Sequence, residues 1–348
     1  MVSQKPKGAV TATKAPVESS KPVNPYGGNS RYGFLSILPD SWLPYVQLTR
    51  LSPPAGLFLI YFPHLIGLLH AAILQHSPLE QVFSVALKVL GGSFFVSNAI
   101  HIWNDLIDAP VDAKIERTSK RPIPRGAVSP FAAVVFTVTQ AIGAVIFLNY
   151  LPFDFQYNLC YALPSIIAWT YYPWAKLHTH FPQIVLGFAL GWGTLMGSLA
   201  MGMSPFTAHE MDNSVKVKVT YSTLCLSLVC LLWTAINDCV YAFQDRENDI
   251  RIGVKSMAVL YGDTYKPMLS YLLAATAACL VACGILSNIG PFFYAVSACG
   301  AVTSLGAMIA QVDLQDSQNC WWWFSNGFWY TGGLMTSGLV LEYLYQKV

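Results

Sequence analysis

The sequence predicts an all-α integral membrane protein of about nine transmembrane helices, and three observations lead there. Of its 348 residues, 54% are hydrophobic and 11% charged, against roughly 25% charged in an average soluble domain. From about residue 53 the chain becomes a train of apolar runs of about 20 residues, the length that crosses a bilayer as helix. Acidic residues avoid these runs and gather where two of them end. The net charge is +2 and no stretch forms a dense basic face, which argues against a nucleic-acid partner.

Residues 1 to about 32 are polar and rich in Lys, Pro, Ser, Thr and Gly, a composition that predicts disorder. The reading divides the chain into a tail over 1–42, disordered or interfacial, and a transmembrane domain over 43–348. Arg31 is the arginine of the opening stretch, whereas a mitochondrial presequence should be Arg-rich and amphipathic. The expectation is therefore an endomembrane, endoplasmic reticulum or Golgi, rather than the mitochondrial inner membrane. No apolar stretch opens the chain to serve as a cleavable signal.

The apolar runs cover about 53–74, 82–103, 129–150, 156–174, 182–202, 221–243, 267–287, 290–311 and 323–345. Lipid offers no partners to open backbone groups, so each run must be helical. Membrane helices tolerate the Pro63, Pro164, Gly191 and Gly193 that interrupt them. Sixteen Lys and Arg fall in the tail and the loops after even-numbered spans. The opposite side carries Lys216, Lys218 and Lys347, and Lys88 lies inside a span. The positive-inside rule then puts the loops after the second and sixth spans in the cytosol. The eight cysteines contain no Cys-x-x-Cys pair and fit small buried residues. Trp321, Trp322 and Trp323 are expected to anchor the last helix at the interface.

The loops after the second and sixth spans carry the chemistry. One reads Asn104-Asp105-Leu-Ile-Asp108-Ala-Pro-Val-Asp112, the other Asp238-Cys-Val-Tyr241-Ala-Phe-Gln244-Asp245-Arg-Glu-Asn-Asp249. Asp108 and Asp112 are four apart, as are Asp245 and Asp249, and the pairs are offset by 137 residues like halves of a degenerate repeat. Carboxylates at i and i+4 share a helix face and repel each other. A divalent cation removes that repulsion. Mg²⁺ takes one or two carboxylates plus substrate phosphates, so two facing clusters suit a diphosphate held between metals. Arg117, Lys120, Arg121 and Arg125 follow the first pair, and Arg246, Arg251 and Lys255 accompany the second. Arginine grips phosphate through two parallel hydrogen bonds. Metal and Arg/Lys together would stabilise a departing diphosphate, and aromatic residues such as Trp103, Tyr171, Tyr172 and Trp192 would shield the cation left behind. A transporter should instead line a midplane path with charges, and here the acids sit at helix ends on one side. His101, three residues before Asn104 on one helix face, is the histidine best placed to reach the site.

These motifs resemble the UbiA superfamily of intramembrane prenyltransferases over about residues 43–345. The match runs through Asn104-Asp105-x-x-Asp108-x-x-x-Asp112, Arg117-x-x-x-Arg121-Pro122, and Arg125-Gly126. It continues in Tyr172-Pro173-x-x-Lys176, Pro182-Gln183-x-x-Leu186-Gly187, Asp238-x-x-Tyr241-Ala-x-Gln244-Asp245-x-x-x-Asp249, and Gly253-x-Lys255-Ser256. The resemblance implies a UbiA-type bundle in which Asp108, Asp112, Asp245 and Asp249 ligate Mg²⁺, supported by Asn104 and Asp105. Arg117, Arg121 and Lys255 would bind the diphosphate with Tyr241, while Asp238 and Arg50 would lie towards the acceptor. Arg50-Leu51-x-x-Pro54-x-Gly56 matches the opening signature of the 4-hydroxybenzoate polyprenyltransferase branch, with Ser52 and Pro53 in place of its usual Asp and Lys. Tyr61-Phe62-Pro63-His64 and Trp103-Asn104-Asp105 resemble fungal enzymes that prenylate polyketide-derived aromatic acids in meroterpenoid pathways. The implied reaction is Mg²⁺-dependent transfer of a prenyl group, favouring farnesyl, to a ring carbon of a phenolic acid. The alternatives are the ubiquinone-pathway polyprenyltransferase, a haem- or chlorophyll-type prenyltransferase and a membrane terpene cyclase. The expected partners are a prenyl diphosphate, an aromatic acceptor and the lipid bilayer, with no obligate protein partner.

Overall fold

The computed structural model describes residues 28, 29, 31, 33–204 and 213–347, with side chains from 217 onward in the last stretch. Most of the expected disordered tail lies outside the described residues. A 3₁₀ turn over Gly33–Ile37 buries Leu35, and the short helix α1 (Leu43–Leu48) precedes the bundle. The bundle consists of α2 (Ala55–Leu74), α3 (Leu79–Asp112), α4 (Pro130–Leu148), α5 (Phe155–His178), α6 (Pro182–Ala200) and α7 (Asn213–Ala242). It continues through two short helices, α8 (Arg246–Ile252) and α9 (Met257–Tyr261), into α10 (Tyr265–Ser287), α11 (Cys299–Gln311, entered through a π-turn over Phe293–Ala298) and α12 (Ser317–Tyr345). Among the described residues there is no strand.

Seven of these segments are long and apolar enough to cross a membrane, two fewer than the nine expected. The other two expected spans are helices α5 and α12. Both are long, but polar residues dilute them: Gln156, Asn158, Lys176 and His178 in α5, and Gln318, Asn319, Asn326 and Glu342 in α12.

Helix α6 is the hub, with 67% of its span buried against 6% of that of α4. Its glycines explain why. A methyl group added at Gly187 would stand 2.6 Å from the Leu231 carbonyl oxygen of α7, and one at Gly191 2.5 Å from that of Ser227. Gly193 and Gly197 meet His64 of α2 just as closely. Small residues let helix backbones approach where no hydrophobic force drives them together. Helix α4 instead presents Phe131, Val134, Val138, Ile142 and Ile146 outward, a face suited to lipid.

Candidate active site

Helix α3 has 34 residues, about 51 Å at 1.5 Å each, more than the ~30 Å hydrocarbon core. Its last turns therefore carry Asn104 to Asp112 beyond the apolar layer. Asp108 and Asp112 lie buried on one face. The second pair is built differently. Helix α7 ends at Ala242, a 3₁₀ turn over Phe243–Asp245 follows, and α8 then carries Asp249. Gly253, with φ of 77°, ends α8 and donates its N–H to the Asp249 carbonyl. This left-handed position suits glycine. The chain then passes across α5, where Lys255 N–H donates to the Lys176 carbonyl at 2.7 Å. The Ser256 side chain caps α9, and the Met257 N–H donates to Gln183 Oε1 at 3.1 Å.

One cavity of about 250 Å³ takes in eleven of the twelve residues singled out above: Arg50, Asn104, Asp108, Asp112, Arg117, Arg121, Asp238, Tyr241, Asp245, Asp249 and Lys255. Asp105 is the exception. It lies behind the cavity, 1% exposed, ion-paired to Arg50 and to Arg121 at 3.2 Å. Arg121 bridges onward to Asp112 at 2.8 Å. Burial alone would make Arg121 less basic, yet Asp105 and Asp112 outweigh it and hold the guanidinium above the usual arginine range. The same balance through Asp105 raises Arg50. Asp105 thus serves as a buried counter-ion that positions two arginines. Asn104 donates to Asp108 at 2.9 Å and orients that carboxylate.

Arg117 forks onto both oxygens of Asp245 and lies over the Tyr241 ring, 5.6 Å from its centroid. Lys176 pairs with Asp108 at 2.6 Å. It stood in the Tyr-Pro-x-x-Lys motif but drew no role from spacing, because its partner is 68 residues away in sequence. Asp238 is hydrogen-bonded to Gln183 deeper in the cavity. Asp249 makes no ion pair among the described residues.

Among the described residues no three His, Cys, Asp or Glu side chains converge to hold a metal unaided. That fits Mg²⁺, which draws its remaining ligands from substrate phosphates and water. Asp108 and Asp112 from the end of α3, Asp245 from the turn after α7 and Asp249 from α8 all line the cavity.

The same cavity also has an apolar, aromatic wall. Of the four aromatic residues expected to shield a cation, Tyr172 lines it, together with Trp169, Trp321 and Phe324. Trp103 instead donates its indole N–H to the Thr170 carbonyl, and Trp192 to that of Tyr161. The tryptophan run is not a uniform interface anchor either. Consecutive helical residues point about 100° apart, so Trp321 lines the cavity, Trp322 is exposed and Trp323 is buried. His101 lines the cavity and hydrogen-bonds the Ser97 carbonyl at 2.7 Å. Its ring occupies the space a side chain at position 56 would need, which accounts for Gly56.

The UbiA prenyltransferase family model matches residues 60–332. Prenyltransferase stbC of Stachybotrys bisbyi is 32% identical over 91% of this chain and 93% of its own length. The mitochondrial 4-hydroxybenzoate polyprenyltransferase of Schizosaccharomyces pombe is 32% identical over 90% and 84%. A UbiA homolog from Archaeoglobus fulgidus, solved bound to GPP and Mg²⁺, shares the fold at a TM-score of 0.59 and 15% identity, covering 86% of this chain and 99% of that one. The chain belongs to the UbiA prenyltransferase family. It is a multi-pass membrane enzyme that transfers alkyl groups other than methyl.

Proposed function

We propose that this enzyme transfers a prenyl group, with farnesyl the favoured donor, from its diphosphate to a ring carbon of a phenolic acid of polyketide origin, in meroterpenoid secondary metabolism. The observation that carries the reading is one cavity that joins two acidic pairs and three basic side chains, Arg117, Arg121 and Lys255, to an apolar aromatic wall. Such a mouth binds a diphosphate, and such a wall accepts its hydrocarbon tail. Asp108, Asp112, Asp245 and Asp249 would hold Mg²⁺, with Asn104 orienting Asp108. When bound, the metal would offset the charge growing on the leaving diphosphate. The archaeal neighbour solved with GPP and Mg²⁺ supports a prenyl diphosphate and Mg²⁺ as what the cavity holds.

Arg117 and Arg121 bind phosphate oxygens in this reading, exchanging part of their grip on Asp245 and Asp112 for the substrate. Tyr241 orients Arg117. Tyr172, Trp169 and Phe324 turn π faces and apolar edges to the allylic cation and exclude water from it. Arg50 and Asp238 lie on the acceptor side. The excess of Lys and Arg in the loops on this side supports a cavity mouth that faces the cytosol, in a membrane of the endoplasmic reticulum or Golgi.

Membranes bearing the protein, given labelled farnesyl diphosphate, Mg²⁺ and a panel of phenolic acids, are expected to form prenylated polyketide acids. The identity to the Schizosaccharomyces pombe enzyme favours a second reading, in which 4-hydroxybenzoate is the acceptor. Prenylation of that acid alone would select it. Labelled terpene formed without any acceptor would refute both.

A further inference from the structure

A second cavity, of about 140 Å³, lies between α2, α3, α4, α5 and α6 and shares the wall residues Ile60, Trp169 and Leu190 with the first. The two follow one another along α3. Ile100 to Asp112 line the first, and Lys88 to Val96 line the second. At 1.5 Å per residue, Asp108 and Lys88 stand about 30 Å apart along the helix. The second cavity is walled mainly by aliphatic side chains and Phe147. Phe147 packs onto Gly91 and Gly92, where an added methyl group would lie 2.7 and 3.4 Å from it.

Lys88 adds a charge to this lining, whose other polar side chains are His64, Ser93 and Ser165. Its side chain is exposed, and it forms no hydrogen bond or ion pair among the described residues. Its neighbours Phe83 and Leu87 are also exposed, on a helix surface suited to lipid. A cation in a segment long and apolar enough to cross a membrane, with no ion pair among the described residues, points to a function.

We infer that the second cavity receives the distal end of the prenyl chain and that Lys88 sets the longest chain the protein accepts. The inference rests on the reading of the first cavity as the diphosphate site. A hydrocarbon tip that stops short of Lys88 leaves its ammonium hydrated. A longer chain must strip that water and offers no hydrogen-bond acceptor in return. The lysine therefore acts by penalising excess length rather than by attracting any ligand.

The test measures binding of farnesyl and geranylgeranyl thiolodiphosphates to the full chain in nanodiscs with Mg²⁺, so that no acceptor is needed. Lys88→Met, which keeps the length and removes the charge, is expected to shift the affinity ratio about tenfold towards the longer analogue. Lys88→Arg, which keeps the charge, is expected to retain the wild-type ratio. An unchanged ratio in Lys88→Met overturns the inference and leaves the donor site standing. Failure of the wild-type chain to bind either analogue overturns both.

Discussion

At the end of α3, Asp108 and Asp112 stand on unbroken helix and meet Lys176 and Arg121, with Asp105 holding Arg121 and Arg50 from behind. At the end of α7, the helix breaks between Asp238 and Asp249, Arg117 takes Asp245, and Asp249 makes no ion pair among the described residues. The spacing in sequence is identical and the surroundings are not. The first pair belongs to a buried charge network that helps hold α1, α3 and the following loop together. The second pair is split between a 3₁₀ turn, which carries Asp245, and a short helix closed by Gly253, which carries Asp249. Among the described residues, the first pair is thus tied into a network of four ion pairs and the second into one.

The largest expected effect lies in activity. Alanine at Asp108 or Asp245 should cut prenyl transfer by about a thousandfold or more, because a lost charge contact to a transition state costs several kcal/mol. Microsomal assays at matched protein levels would show it, and full activity in both variants would break the two-pair site. Chelation with EDTA should likewise stop turnover and added Mg²⁺ should restore it.

Stability separates the halves next. Asp105→Ala removes the ion pair of the half-buried Arg50 and leaves buried Arg121 with Asp112 alone, and should cost about 3 kcal/mol, read as a clear fall in melting temperature in detergent. Asp249→Asn should leave the melting temperature unchanged or higher while abolishing transfer, since it removes a carboxylate that makes no ion pair among the described residues and is repelled by Asp245. Equal melting losses in the two would erase the distinction.

A smaller effect is expected at Arg117→Lys, which keeps the charge and loses the fork on Asp245. About tenfold to a hundredfold lower kcat/KM is predicted, one bidentate contact's worth. The smallest difference is within the tryptophan run. Trp322→Ala should leave kinetics unchanged, and Trp321→Ala should raise KM a few-fold through the cavity wall.

The sequence by itself determined the membrane bundle, because apolar runs of bilayer length allow no other backbone solution than helix. It also determined the two acidic ends, since paired charges beside lipid are too costly to be idle. Tertiary structure decided the rest. Asp105 looked like its neighbours in the motif and became a buried counter-ion, because Arg50 and Arg121, distant from it in sequence, close over it. Lys176 joined the first pair only when α5 packed beside α3. Trp321 entered the cavity and Trp322 left it, as successive residues on one helix must point in different directions. Which charges meet depends on how helices far apart in sequence are placed, and that placement follows from glycine contacts at α6 that leave little trace in local periodicity.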